Sequence, residues 1–189
     1  MTIDTAILAC QVQELRDRQE ITDVLYTYLD CADRCDFDRQ YESSFHPGAA
    51  FIYQKGSAPV AARAFFDQIK SADSLGAGFL QTMHYLSNIL IRLDGDQAVV
   101  QSLIFAQHLI SAQCPDLPPN FPNLGKDYGL LIGGRYNDLF TKRNGLWRIA
   151  SRELMYEWAA RIDPSLIRGP LSSGRKTVPS DFWSFKVSS

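Results

Sequence analysis

The chain lacks most of the features that announce a function class outright. Apolar runs such as "LLIGG" and "NILI" fall far short of the ~20 residues a spanning helix needs, so no membrane insertion is expected. No basic block occurs, and 19 Lys and Arg against 21 Asp and Glu leave a formal net charge of −2. That balance excludes the electrostatic footprint of a nucleic-acid or anionic-membrane partner. The first residues, "MTIDTAILACQVQELRDRQ", lack a basic n-region and turn charged early, so neither a signal nor a transit peptide is expected and a cytoplasmic location is. The four cysteines form no C-x-x-C pair; Cys31 and Cys35 stand four apart, but two thiols fall short of the four ligands of a closed zinc site. Reduced thiols are the expectation. Histidine is scarce too: His46, His84 and His108 are the only three, so each imidazole can be weighed singly.

What is present suits one globular domain with a sizeable core: 189 residues, 46% hydrophobic and 12% aromatic, without internal repeats. Over residues 5–32 the apolar positions Leu8, Val12, Leu15, Ile21, Leu25, Tyr28, Leu29 and Ala32 recur at helical spacing. A second helix is expected over 38–45, ended by "HPG" at 46–48, then a short strand at 49–53 and a helix over 62–72. Beyond Gly78 the pattern becomes two long hairpins, 84–93 with 98–111, and a second one turning at Asn144-Gly145. Between them lies a segment with four prolines, of the length that lids and partner-contact loops take. Helices followed by antiparallel strands predict an α+β fold. The sheet is expected to be curved and mostly antiparallel, a cone-shaped α+β barrel with the N-terminal helices closing one face. The domain is expected to span 1–162, with a tail at 163–189 packing on the body or on a neighbouring subunit.

Few polar residues fall on the predicted interior. Asp33 follows Leu29 by four and Leu25 by eight, beside the apolar stripe, where an inward carboxylate needs a partner. Asp30 points away toward solvent, Asp36 suits the N-cap of the second helix, and Asp38 suits its first turn. His84 opens the first hairpin. A three-residue loop centred on Gly95 sets it opposite Ala106, on one face with His108. A two-residue turn at Asp94-Gly95 sends His108 to the other face, and a bulge could reverse either outcome. Tyr53 and Tyr136 are further candidates for the interior; His46, in "FHPG", reads as a turn residue. A carboxylate that holds one imidazole nitrogen leaves the other as a base and stabilises the imidazolium, which suits abstraction of a carbon-bound proton. Equally, a lone strand histidine is commonly a satisfied structural residue, and the two tyrosines can be core aromatics with wet hydroxyls.

Three segments, "RQEITDVLYTYLDCADRCDFD", "MHYLSNILIRLDGDQAVV" and "GGRYNDLFTKRNGLWRI", taken together with the order of elements around them, resemble the SnoaL-like branch of the nuclear transport factor 2-like superfamily over roughly residues 12–160. Within it the chain looks most like the scytalone dehydratase, hexachlorocyclohexane dehydrochlorinase and bile-acid dehydratase enzymes. The resemblance implies an Asp–His dyad at Asp33 and His84, with no metal and no organic cofactor. Tyr53 and His108 match further scytalone dehydratase residues, and Tyr136 is a candidate donor beside them. The match at His108 favours the three-residue turn. Two departures stand out: Ala32 replaces a tyrosine before the aspartate, and Gly134 and Tyr136 replace a serine and an asparagine on the third long strand.

The function expected from these residues is a cofactor-independent lyase of dehydratase type acting on a cyclic, largely apolar small molecule. Asp33 and His84 are its catalytic pair, and Tyr53, His108 and Tyr136 bind substrate. Alternatives are an isomerase or cyclase using the same dyad, a two-His-one-carboxylate iron site from His84, His108 and Asp33, and a non-catalytic ligand-binding or assembly subunit. A homodimer or homotrimer is expected, with Leu103, Phe105, Leu131 and Leu139 on the convex sheet face as contact candidates.

Overall fold

A computed structural model describes residues 4–54, 56–71, 78–114 and 124–167. Helix α1 (Thr5–Asp33) starts at Asp4, whose carboxylate accepts from the backbone N–H groups of Ala6 and Ile7. Its buried positions run from Asp17 through Ile21, Leu25, Tyr28, Leu29 and Ala32. Leu8, Val12 and Leu15 belong to the same sequence stripe but are exposed, because no described residue covers the first three turns. Helix α2 (Phe37–Ser44) is capped by Asp36, which accepts from the Arg39 N–H. Asp38, in its first turn, reaches Arg63 and Lys70 across the surface.

Strand β1 (Phe45–Tyr53) begins directly after α2, so "HPG" lies inside the strand's irregular start rather than ending a helix. Gly48 adopts φ +79° there, and pairing is re-registered between Phe45 and Ala50. Strand β2 (Val60–Ala61), which the sequence pattern did not suggest, pairs antiparallel with β1 and leads into α3 (Ala62–Ile69). The hairpins follow as β3 (Phe79–Asp94) with β4 (Gln97–Ile110), and β5 (Tyr128–Arg143) with β6 (Leu146–Ile162). Asn144 and Gly145 both carry positive φ, as a two-residue primed turn requires. A short 3-10 turn, Pro164–Leu166, is capped by Asp163; most of the predicted tail and of the proline-rich segment lies outside the described residues.

The strand order is β2-β1-β6-β5-β4-β3. All neighbours are antiparallel except β1 and β6, which are parallel. The sheet is curved but not closed: β2 and β3 are the edge strands among the described residues, and the three helices pack on its inner side.

One core cluster joins helices and sheet through aromatic rings. Phe51 stacks on Phe65 at 4.1 Å, and Tyr28 meets Phe45, Phe66 and Tyr136 edge-on at 5.8–6.3 Å. At its centre lies Arg152, fully buried, between the rings of Tyr28 at 4.1 Å and Tyr136 at 4.0 Å. Asp138 on the neighbouring strand binds the guanidinium with two hydrogen bonds of 2.7 and 2.8 Å. Burial opposes the Arg152 charge, and the Asp138 carboxylate more than restores it.

The cation and its carboxylate depend on each other, since removing one partner strands a buried charge. Asp138→Asn is expected to cost ~3–5 kcal/mol of unfolding free energy by denaturant titration, whereas a paired Asp138→Leu/Arg152→Met replacement costs less than either single change. His46 provides a second, pH-dependent test. It is buried, its ring nitrogen bonded to the Thr141 carbonyl at 2.8 Å, and burial lowers its pKa. Below the ordinary histidine value of ~6.5 the unfolded chain therefore binds a proton that the folded one resists. Stability should fall as pH drops through that value, and His46→Gln should remove that part of the slope in parallel denaturant titrations.

Candidate active site

Asp33 is the last residue of α1, and the chain leaves the helix there through Arg34 and Cys35, the latter at φ 53°. Ending the helix at this point turns Asp33 toward β3. Because β3 is an edge strand, His84 can offer both its ring and its backbone N–H to the helix. Asp33 Oδ1 lies 2.6 Å from His84 Nδ1, and Asp33 Oδ2 accepts from the His84 backbone N–H at 3.2 Å. The carboxylate side chain is 29% exposed and the imidazole 15%, so the pair is shielded without being sealed. The other three acidic groups of the segment are otherwise engaged: Asp30 is bound twice by Arg34 at the helix end, while Asp36 and Asp38 serve α2. Asp30 points to the surface as expected, where the i,i+4 spacing also gives it an arginine.

His84 and His108 share a face for a reason the turn does not supply. The turn residues are Gly95 and Asp96, with Asp94 paired to Gln97, so the three-residue loop is not formed. That register would set His84 opposite Gln107. A bulge between Ser87 and Leu90 adds one residue to β3 and restores His84 opposite Ala106 and Thr82 opposite His108. Asn88 within it takes φ 50°, a left-handed conformation that asparagine tolerates better than most side chains. The two imidazoles end 5.2 Å apart, centroid to centroid.

His108 is buried, stacked on Phe79 at 4.8 Å, with Nδ1 2.8 Å from the Thr82 hydroxyl. Burial, reinforced by the nearby His84, holds its pKa well below the ordinary range, so it is neutral. Tyr53, ending β1, pairs its hydroxyl with that of Tyr156 on β6 at 2.8 Å. Burial raises both phenol pKa values, which keeps them protonated donors. Tyr136 lies elsewhere in the interior, against Tyr28 and Arg152, and no described contact joins it to Asp33, His84 or His108. Gly134 has no room for a side chain: a Cβ there would sit 2.3 Å from the Met155 carbonyl.

Thr82, Tyr156 and Arg152 were not singled out from sequence. Thr82 precedes His84 by two and so shares its face, a signal that strand periodicity could have supplied. Tyr156 follows Arg152 and Leu154 at the same period, but the bulges in β6 made its facing unreadable. An iron site does not fit these residues. Asp33 and His84 satisfy each other, His108 Nδ1 is held by Thr82, and no group of three His, Cys, Asp or Glu among the described residues could hold a metal ion.

Similarity to known proteins agrees with this fold. No functionally curated protein matches the chain. A candidate scytalone dehydratase from Novosphingobium aromaticivorans superposes with a TM-score of 0.62 at 20% identity, covering 79% of this chain and 90% of that one. A hexachlorocyclohexane dehydrochlorinase from Novosphingobium barchaimii gives 0.63 at 13%, covering 80% and 94%. An NTF2-like protein with a cystatin-like fold from Novosphingobium aromaticivorans gives 0.59 at 20%, covering 83% and 92%. At such identities the likeness carries the fold alone. Residues 13–153 match the SnoaL-like domain, and the chain belongs to that family.

Proposed function

We propose that the protein is a cofactor-independent lyase in which His84 abstracts a carbon-bound proton. The reading rests on one observation, the 2.6 Å contact between His84 Nδ1 and Asp33 Oδ1. With Nδ1 held by the carboxylate, the Nε2 lone pair is the base, and Asp33 stabilises the imidazolium that forms. In an elimination the C–H electron pair becomes a carbon–carbon double bond while the leaving group departs with its own bonding pair. His108, whose ring centroid lies 5.2 Å from that of His84, is the neutral imidazole beside the base, and in this reading its N–H serves that group or a developing oxyanion; the Tyr53–Tyr156 pair supplies further protonated hydroxyls in the interior. The aromatic character of the interior suits a cyclic, largely apolar substrate. Elimination is the outcome named for a candidate dehydratase and a dehydrochlorinase that share this fold, and we take it as the reaction here. Isomerisation and cyclisation begin with the same proton transfer. A non-catalytic subunit predicts that Asp33 and His84 stay apart, so their contact favours the enzyme.

Solvent-exchange experiments test the base before the natural substrate is known. In deuterated buffer, the protein should exchange the acidic C–H of a bound cyclic ketone analogue, and His84→Ala should abolish the exchange while far-ultraviolet circular dichroism stays unchanged. Exchange at the wild-type rate in that variant sinks the proposal. Asp33→Asn should retain binding and slow the exchange by ~10²–10⁴-fold, the usual worth of a positioned acid–base group.

A further inference from the structure

One buried polar side chain of the interior has no part in the reading above. Thr82 is 8% exposed and lies on the same strand face as His84, paired in register with His108. Its Oγ1 is 2.8 Å from His108 Nδ1 and 3.5 Å from His84 Nδ1, and it makes no other hydrogen bond among the described residues. A buried hydroxyl must place its one proton on an acceptor. His84 Nδ1 cannot be that acceptor. At 2.6 Å from Asp33 Oδ1 it either carries a proton donated to the carboxylate or accepts one from it, and in neither case is a lone pair left. His108 Nδ1 remains.

We infer that Thr82 is a positioning residue whose hydroxyl donates to His108 Nδ1 and fixes His108 as the tautomer with its proton on Nε2. Two imidazoles 5.2 Å apart are thereby given opposite tasks. His84 keeps its proton on Nδ1 and its lone pair on Nε2, the arrangement of a base. His108 keeps its lone pair on Nδ1 and its proton on Nε2, the arrangement of a hydrogen-bond donor. Phe79, nearly parallel to the His108 ring at 14° and 4.8 Å, opposes the ring flip that would exchange the nitrogens. Burial of His108 keeps the ring neutral, which is the only state in which a tautomer can be selected. The tautomer assignment stands on hydrogen-bond geometry; its catalytic meaning rests on the proposed dyad.

The test is a long-range proton–nitrogen correlation spectrum of the intact protein labelled with ¹⁵N-histidine. Only three imidazoles contribute, and His46→Gln and His108→Gln variants assign them. In the wild type, His108 should show an unprotonated Nδ1 and a protonated Nε2, and His84 the reverse. Thr82→Val, which keeps the shape and removes the hydroxyl, should move the His108 signals toward tautomer averaging. Thr82→Ser should return them. A His108 ring protonated on Nδ1 in the wild type overturns the inference, as does a His108 pattern unchanged in folded Thr82→Val. If that variant does not fold, the wild-type spectrum alone decides. A His84 ring without a proton on Nδ1 instead overturns the dyad and leaves the Thr82 assignment intact.

Discussion

The buried ion pair between Arg152 and Asp138 is the constraint on which the rest of the interior depends. A guanidinium with no access to water is tolerable only with a carboxylate and with aromatic faces above and below it. Asp138 lies on β5 and Arg152 on β6, while the flanking rings come from β5 at Tyr136 and from α1 at Tyr28. The cation therefore ties the first helix to the sheet between the Asp17 contacts with Lys142 and Trp147 and the Asp33 contact with His84. Five residues further along α1 stands Asp33, so the docking of Tyr28 also determines where that carboxylate arrives.

The proposed site lies where helix end and edge strand meet. Asp33 has one oxygen for the imidazole and one for the strand's own N–H, an arrangement that orients the carboxylate as well as the ring. An interior strand would have no spare N–H in that direction, because both of its sides are occupied by ladder partners. The open edge of the sheet is thus put to use. It holds the helix terminus, and with it the only carboxylate in contact with a histidine among the described residues.

Side-chain facing in β3 and β4 is a discrete variable with a period of two, and it is decided by single residues. The Gly95-Asp96 turn alone would misplace His84 by one position. The extra residue at Asn88 returns it to the face shared by Thr82 and His108. The same logic operates in β6, where bulges opposite Gly133 and Leu139 bring Tyr156 beside Tyr53. The glycines at 133 and 134 permit this: the Trp158 ring and the Met155 carbonyl occupy the space where their side chains would stand.

Much of this was legible beforehand because it depends on local chemistry. Helical spacing marked α1, the Asp36 cap marked α2, and Asn144-Gly145 marked the second hairpin turn. Asp33 stood out as a carboxylate beside an apolar stripe, and family resemblance named His84 as its partner. The exposed first turns of α1, the two-residue β2 and the Gly95-Asp96 turn were not legible, since each depends on what packs or pairs from elsewhere in the chain. The interior position of Tyr136, the Tyr53–Tyr156 pair and the Thr82–His108 contact depend on strand register in the same way. Residue order and local propensity are enough to mark which side chains can do chemistry and which elements carry them. Which of those side chains meet follows from strand register and packing, because a one-residue bulge reverses a strand face and leaves composition and periodicity almost unchanged.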